Sequence, residues 1–170
     1  LTTQGDLVYR DGSGLQRLGA GTSGQALLTG GAGANPSWGS AGAIKQVIQT
    51  VKTSAQTINS LSNVDIMSVS ITPSSASSKI LVSWNINACS NDHGELNIFR
   101  DATQIYLGDA NGTLSRSAHG MYAVQQDHIS EFSGTYLDSP STTSAITYYA
   151  KGRCPGLASH SVYINRPDNG

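Results

Sequence analysis

At 170 residues the chain is long enough for one modest domain with an appendage and too short for two ordinary domains. Only 12 % of the residues are charged and the formal net charge is −1, so no field draws in nucleic acid or an anionic membrane surface. Solubility then rests on uncharged Ser, Thr, Asn and Gly, a composition that disfavours helix and favours strands and turns, and no apolar run approaches the roughly 20 residues needed to span a bilayer as a helix.

The chain opens at Leu1 on a polar segment without the pattern of a secretory signal, and a start without Met is what a fragment, or a chain with further residues ahead of Leu1, gives. Residues 1–43 carry 11 of the 19 glycines. Their apolar residues come as short islands: Leu7-Val8-Tyr9, Leu15, Leu18, Ala26-Leu27-Leu28 and Trp38. Dense glycine raises the backbone entropy lost on ordering, and islands of this size do not close a core from one chain. Two outcomes remain: a flexible linker, or several copies wound together so that each chain's islands bury against the others. The recurrence of the islands favours the second, an extended and intertwined glycine-rich stalk over residues 1–43.

From Ile44 onward the pattern is strand-like. Residues 44–52 read as a strand of mixed exposure. Val64 and Ile66, then Met67, Val69 and Ile71, alternate with a change of phase between Ile66 and Met67, which predicts a β-bulge or a bend between sheets. The clearest strand covers residues 79–88, where Ile80, Val82, Trp84, Ile86 and Ala88 share one face and Ser83, Asn85 and Asn87 the other. Further strands are expected at 95–100, 104–107, 121–125, 131–137, 145–151 and 161–165, with Arg100-Asp101-Ala102-Thr103 as a tight hairpin connection. Polar clusters at 72–78, 91–94, 109–112 and 138–143 supply turns. About nine short strands with frequent turns and no helical window give an all-β fold, an antiparallel, jelly-roll-like β-sandwich over residues 44–170. Cys89 and Cys154 are too few for a disulfide framework and read as reduced, partly buried thiols, a bridge between them staying open if their strands are neighbours.

The run GDLVYRDGSGLQRLGAGTSGQALLTGGAGANPSWG, residues 5–39, resembles a segment of bacteriophage tail fibres. Its marks are Gly5-Asp6-Leu7, then Arg17-Leu18, Gly21-Thr22, Gly24-Gln25 and Leu27, then Pro36 and Trp38. The stretches VSITPSSASSKILV, LNIFRDATQIYLGDANG, TYLDSPSTTSAITYYAKGR and VYINR are similar, in order, to a β-rich head of such fibres. The resemblance implies a homotrimeric virion fibre, joined to other tail proteins on its N-terminal side, that attaches to a glycan or envelope component of a bacterial surface and lies outside the cell after release. Heads of this kind run on past VYINR to a final strand rich in Thr, Val and Ile, whereas this chain stops at Asn169-Gly170. The expectation is therefore a chain that is truncated, or a last strand that is missing or supplied elsewhere. A purely structural fibre or decoration segment without receptor contact is the alternative.

Enzyme chemistry is not expected, nor a cofactor or a metal. No serine sits in a G-x-S-x-G elbow. Asp92-His93 and Asp127-His128 each offer an O,N pair, but neighbours on a strand point to opposite faces, and the four histidines read as exposed loop residues. Asp101, Asp109, Asp138 and Glu131 are the carboxylates that a glycosidase-like pair would use, and the three aspartates sit at turns, where Asp satisfies backbone N–H groups. For sugar recognition, Tyr106, Tyr122, Tyr136, Tyr148, Tyr149 and Tyr163 offer aromatic faces, with at least one of Tyr148 and Tyr149 turned inward. The polar, glycine-containing loops 91–94, 110–119 and 153–160 are the better places for receptor contact. They supply the candidates Asn91, Asp92, His93, Asn111, Arg116, His119, Arg153 and His160.

Overall fold

A computed structural model of the chain describes residues 1–40, 44–122, 128–156 and 159–167. The chain divides into two compact units, Leu1–Val47 and Ile48–Gly170.

The glycine-rich first unit carries regular structure over its described residues. It folds as two antiparallel hairpins, β1 (Leu7–Asp11) with β2 (Gly14–Leu18) and β3 (Gln25–Leu28) with β4 (Ser37–Ser40). The first closes because Asp11 Oδ1 accepts the N–H groups of Ser13 and Gly14 at 2.7 and 3.0 Å, while Gly14 takes φ +131°, a conformation open to glycine. Asp6 ties down its base: the carboxylate accepts Arg17 Nε at 2.7 Å and the N–H groups of Thr2 and Thr3 at 2.9 Å each. These bonds, that from Arg17 foremost, hold the Asp6 carboxyl well below the usual carboxylate range. Trp38 Nε1 donates to Gly19 O at 2.6 Å and its ring lies so close to Gly21 that a Cβ there would meet Cδ2 at 2.6 Å. Glycine thus serves turns and close approach, yet the aliphatic islands stay outside: Leu15 is 77 % exposed and Val8 54 %.

The second unit is all-β, and none of its described residues is helical. Its strands are β5 (Gln56–Ile58), β6 (Val64–Ile71), β7 (Ile80–Ser90), β8 (Gly94–Arg100), β9 (Thr103–Ile105), β10 (His119–Met121), β11 (Ser130–Asp138), β12 (Ile146–Arg153) and β13 (Val162–Ile164). All pairings are antiparallel. One sheet runs β10-β8-β12-β6 with β9 also on β8, and the other runs β11-β7-β13-β5. Read as a ladder, β5·β13, β6·β12, β7·β11 and β8·β10 pair as nested rungs, with alternate rungs in opposite sheets, which is the order of a jelly roll. The core lies between the sheets and includes Trp84, Ile86 and Ala88 of β7, Leu96 and Ile98 of β8, Tyr148 and Ala150 of β12, and Val162 and Ile164 of β13.

The alternation in β7 holds as its sequence predicts, with Trp84, Ile86 and Ala88 buried and Ser83, Asn85 and Asn87 exposed. The phase change in β6 is a bulge: Ala150 pairs with Met67 and Lys151 with Asp65, so Ile66 is the extra residue and turns into the core. The hairpin at Arg100↔Thr103 forms with Asp101 at φ 50°, and it docks on β12 through Asp101 N–H to Thr147 O at 2.8 Å and Thr147 N–H to Asp101 Oδ1 at 2.9 Å. Both cysteines are unbridged, buried thiols. Cys154 Sγ donates to Ile58 O at 3.3 Å, and burial pushes its thiol pKa up.

Three expected strands differ. Residues 44–52 form no strand, because pairing and not pattern decides a ladder: β13 ends at Ile164, and among the described residues nothing pairs with this segment. Ile44, Val47 and Val51 are left 84 %, 82 % and 70 % exposed, and Asn165 Nδ2 donates to Lys52 O at 2.8 Å at its end. The strand expected at 104–107 stops at Ile105, where Tyr106 turns left-handed, and that expected at 121–125 occupies His119–Met121, with 123–125 outside the described residues. The same shortness of β13 leaves β7 paired on one side only over its first residues, among those described. There a cavity of about 530 Å³ separates the β7 edge from Ile48, Val51 and Lys52, floored by Met67, Val69, Tyr148 and Ala150.

Candidate functional site

Strand β8 organises the candidate region. Its sequence alternates Leu96 and Ile98 with Glu95, Asn97 and Phe99, so a half-buried strand with a solvated polar face is expected. Instead Glu95 is 2 % exposed and Asn97 fully buried, because the loop between β9 and β10 lies against that face. Glu95 accepts Ser115 Oγ at 2.6 Å and Arg153 Nε at 2.8 Å, and Arg153 Nη2 donates to Ser115 Oγ at 2.7 Å. Asn97 Nδ2 donates to Asn63 Oδ1 at 2.9 Å, and Gln104 Nε2 donates to Asn97 Oδ1 at 2.7 Å and to Arg116 O at 3.2 Å. Arg116 Nη1 closes the loop on Gly108 O at 3.1 Å, and Ala118 N–H reaches Leu96 O at 3.1 Å. A loop without strand or helix is thereby held at several points by buried or half-buried polar groups.

The nominated residues fall into two groups. Asn91, Asp92, His93, Arg153 and His160 lie at the end of the sandwich where β7 turns into β8 and the chain enters β13. Asn91 Oδ1 accepts Ser161 N–H at 2.7 Å, and His160 Nε2 lies 2.9 Å from Asp92 Oδ2. His93 faces the exposed Tyr122 at a ring distance of 6.4 Å. Asn111, Arg116 and His119 belong to the β9–β10 loop and β10, with Asn111 exposed. Asp127 of the second Asp-His pair lies outside the described residues, and among those described no three of His, Cys, Asp and Glu come together as metal ligands.

His119 sits at the edge of an aromatic cluster. Its Nε2 accepts Trp84 Nε1 at 3.0 Å, and its ring packs on Phe132 at 5.6 Å. Burial lowers its pKa from the ordinary 6.5, so the folded state favours the neutral imidazole that accepts this bond. A depressed histidine pKa contributes stability above the ordinary value, and that contribution is lost as pH falls below 6.5 through the lowered folded value. In a Trp38→Phe background, Trp84 emission is expected to shift as pH falls below 6.5 through the lowered folded value, and His119→Gln is expected to abolish the shift. An emission that stays the same down to acid unfolding, or that shifts alike in His119→Gln, would contradict the bond.

On the other side of Trp84 stands Tyr106, with ring centroids 4.9 Å apart at 75°, and Tyr136 follows at 6.0 Å and 73°. Tyr106 has φ 57°, unusual for a bulky side chain and costing on the order of 1 kcal/mol. Of the other tyrosines, Tyr148 and Tyr163 are buried while Tyr149 lies under Lys151 Nζ at 4.5 Å. The carboxylates divide as well: Asp101 and Asp138 bond within the head, and Glu131 accepts Asn85 Nδ2 at 2.9 Å. Sequence reasoning passed over Glu95, Asn97, Gln104, Ser115 and Trp84, since alternation alone assigns the first two to solvent. Compared with known proteins, no family model matches the chain and no curated protein matches it.

Proposed function

We propose that this chain is a virion tail-fibre component that attaches to a bacterial surface as a homotrimer, with residues 1–43 as an intertwined stalk and the sandwich as the head. The reading is carried by one observation, the ordered resemblance of the residue 5–39 run and the four head stretches to phage fibres. The exposed aliphatic groups favour self-association: Leu15, Leu27, Ile44 and Val47 lie at 77 %, 50 %, 84 % and 82 % exposure. On the outer face of the β7·β11 pair, Leu81 and Leu137 stand opposite each other, 67 % and 57 % exposed, beside the uncharged Ser83 and Thr135. Weak contacts multiplied over three heads give attachment its strength.

The second reading, a structural fibre segment, is favoured by a specific observation. Asn91, Asp92, Arg153 and His119 all commit polar groups to their own chain. Light scattering on a sizing column is expected to give about three times 17.7 kDa, and a monomer would sink the homotrimer. The purified trimer is expected to bind envelope preparations from at least one of a panel of bacteria, whereas a trimer that binds none favours the structural reading.

A further inference from the structure

We propose that the hollow beside Tyr106 is a subsite for one neutral hexopyranose ring. It is lined by Tyr106, Leu107, Gly108, Ser117 and Tyr136, and its volume is about 380 Å³. That is near the small end of ligand cavities and suits one sugar ring rather than an oligosaccharide. No lining side chain carries a charge, and the Arg116 guanidinium beside the hollow is turned to Gly108 O at 3.1 Å, so the lining is built for hydroxyl groups rather than for a carboxylate. Aromatic faces meet the C–H faces of a pyranose, while the Ser117 and Tyr136 hydroxyls and the main chain at Gly108 supply polar partners for its hydroxyl groups.

Three independent features show a site built in advance. Tyr106 is 38 % exposed although it packs against Trp84 and Tyr136 at steep ring angles, so its ring has fixed neighbours and still reaches solvent. Its left-handed backbone, φ 57°, is a local strain of the kind that persists where surrounding structure over-determines it. The loop that carries Leu107, Gly108 and Ser117 is pinned through Arg116 to Gly108 O, Gln104 to Arg116 O, and Ser115 to the buried Glu95. A buried ion pair such as Glu95–Arg153 adds little net stability, but it fixes the position of Ser115 and with it the path of the loop. Ligand affinity gains when such ordering precedes binding.

The inference rests on the attachment reading only for the source of the sugar, a host-surface glycan. The test uses the whole chain with D-glucose, D-galactose, D-mannose and N-acetyl-D-glucosamine as probes, read by saturation-transfer NMR and by Trp84 emission in the Trp38→Phe background. At least one sugar is expected to receive transfer on its ring C–H protons. Tyr106→Asn removes the ring but keeps a residue that tolerates the left-handed backbone, and it is expected to weaken that response about tenfold in a protein that still unfolds cooperatively. No response to any probe, or an equal response from Tyr106→Asn, overturns the site. Envelope binding separates the two claims. Envelope binding without any sugar response, or with a response equal in Tyr106→Asn, overturns the site and leaves attachment standing. A Tyr106-dependent sugar response without any envelope binding supports the site and overturns attachment.

Discussion

Replacing Asp138 by alanine is expected to destabilise the head by about 3 kcal/mol, read as a lower urea midpoint at unchanged m-value. Asp138 is 4 % exposed at the end of β11, and its carboxylate holds two different partners. Arg100 Nη1 donates to Oδ1 and Oδ2 at 2.8 and 2.9 Å, and Tyr148 OH donates to Oδ2 at 2.6 Å. The alanine orphans the Tyr148 hydroxyl, which is buried in the core, and leaves the Arg100 side chain, 27 % exposed, without its counter-charge. The loss therefore exceeds what the three bonds are worth against water. Arg100→Met combined with Asp138→Leu is expected to recover part of it, because an apolar pair leaves no group unsatisfied. A loss below about 0.5 kcal/mol for Asp138→Ala would show that water reaches the triad and replaces the carboxylate. Tyr148 adds a pH signature. Burial, and then the bond to Asp138, push its hydroxyl pKa far above the ordinary 10.0, so its contribution is complete below that value and lost as pH rises past it. The head should weaken in strong alkali, and Tyr148→Phe should flatten that slope.

The sequence made the sandwich legible because most of its strands carry one solvated face, and period-two alternation records that face directly. The strand around Trp84 follows from this rule without tertiary knowledge, and the phase change at Ile66 narrows to a bulge or a bend between sheets, which the pairing with β12 decides as a bulge. The rule fails where a face is covered by something other than the opposite sheet. Glu95 and Asn97 look solvated in sequence and are buried, because Ser115 reaches Glu95 from a loop whose path no local pattern encodes and Gln104 reaches Asn97 from the short strand β9. It gives no purchase at residues 44–52, where Ile44, Val47, Ile48 and Val51 do not alternate and no ladder partner is present among the described residues. In the first unit, dense glycine with short apolar islands reads as an extended segment ordered by other copies of the chain. What decides its fold are capping groups, Asp6 with Arg17 and Trp38 with Gly19, whose meaning depends on who stands across the hairpin. Loop position alone was an adequate guide to where polar residues gather, but not to how they are used. His160 and Asp92 are bonded to each other, while the hollow beside Tyr106 follows from a turn residue and two aromatics far apart in the chain.

Gly134→Val is the second substitution with a large expected effect, and strand propensity predicts the opposite sign. Valine favours a strand over glycine by up to about 1 kcal/mol, and Gly134 lies in the middle of β11. Yet Gly134 pairs directly with Trp84 of β7, and a Cβ there would overlap the indole Cζ2 and stand 2.8 Å from Cε2. The ring has little freedom to yield. Its Nε1 is bonded to His119 Nε2 at 3.0 Å, and its plane meets Tyr106 edge-on at 4.9 Å. Overpacking of this kind costs about 1–3 kcal/mol, and displacing the indole also breaks its hydrogen bond, so the net loss is expected to be about 2–3 kcal/mol by urea unfolding. The cause is separable from a general intolerance of β11. In a Trp84→Phe background the smaller ring makes room, and Gly134→Ala should then cost less than it does beside the indole. Equal costs in the two backgrounds would show that the backbone of β11, not the indole, sets the limit. Because Trp84 packs against Tyr106, a Gly134→Val protein that still folds should also lose the sugar response at the hollow, although residue 134 does not line it.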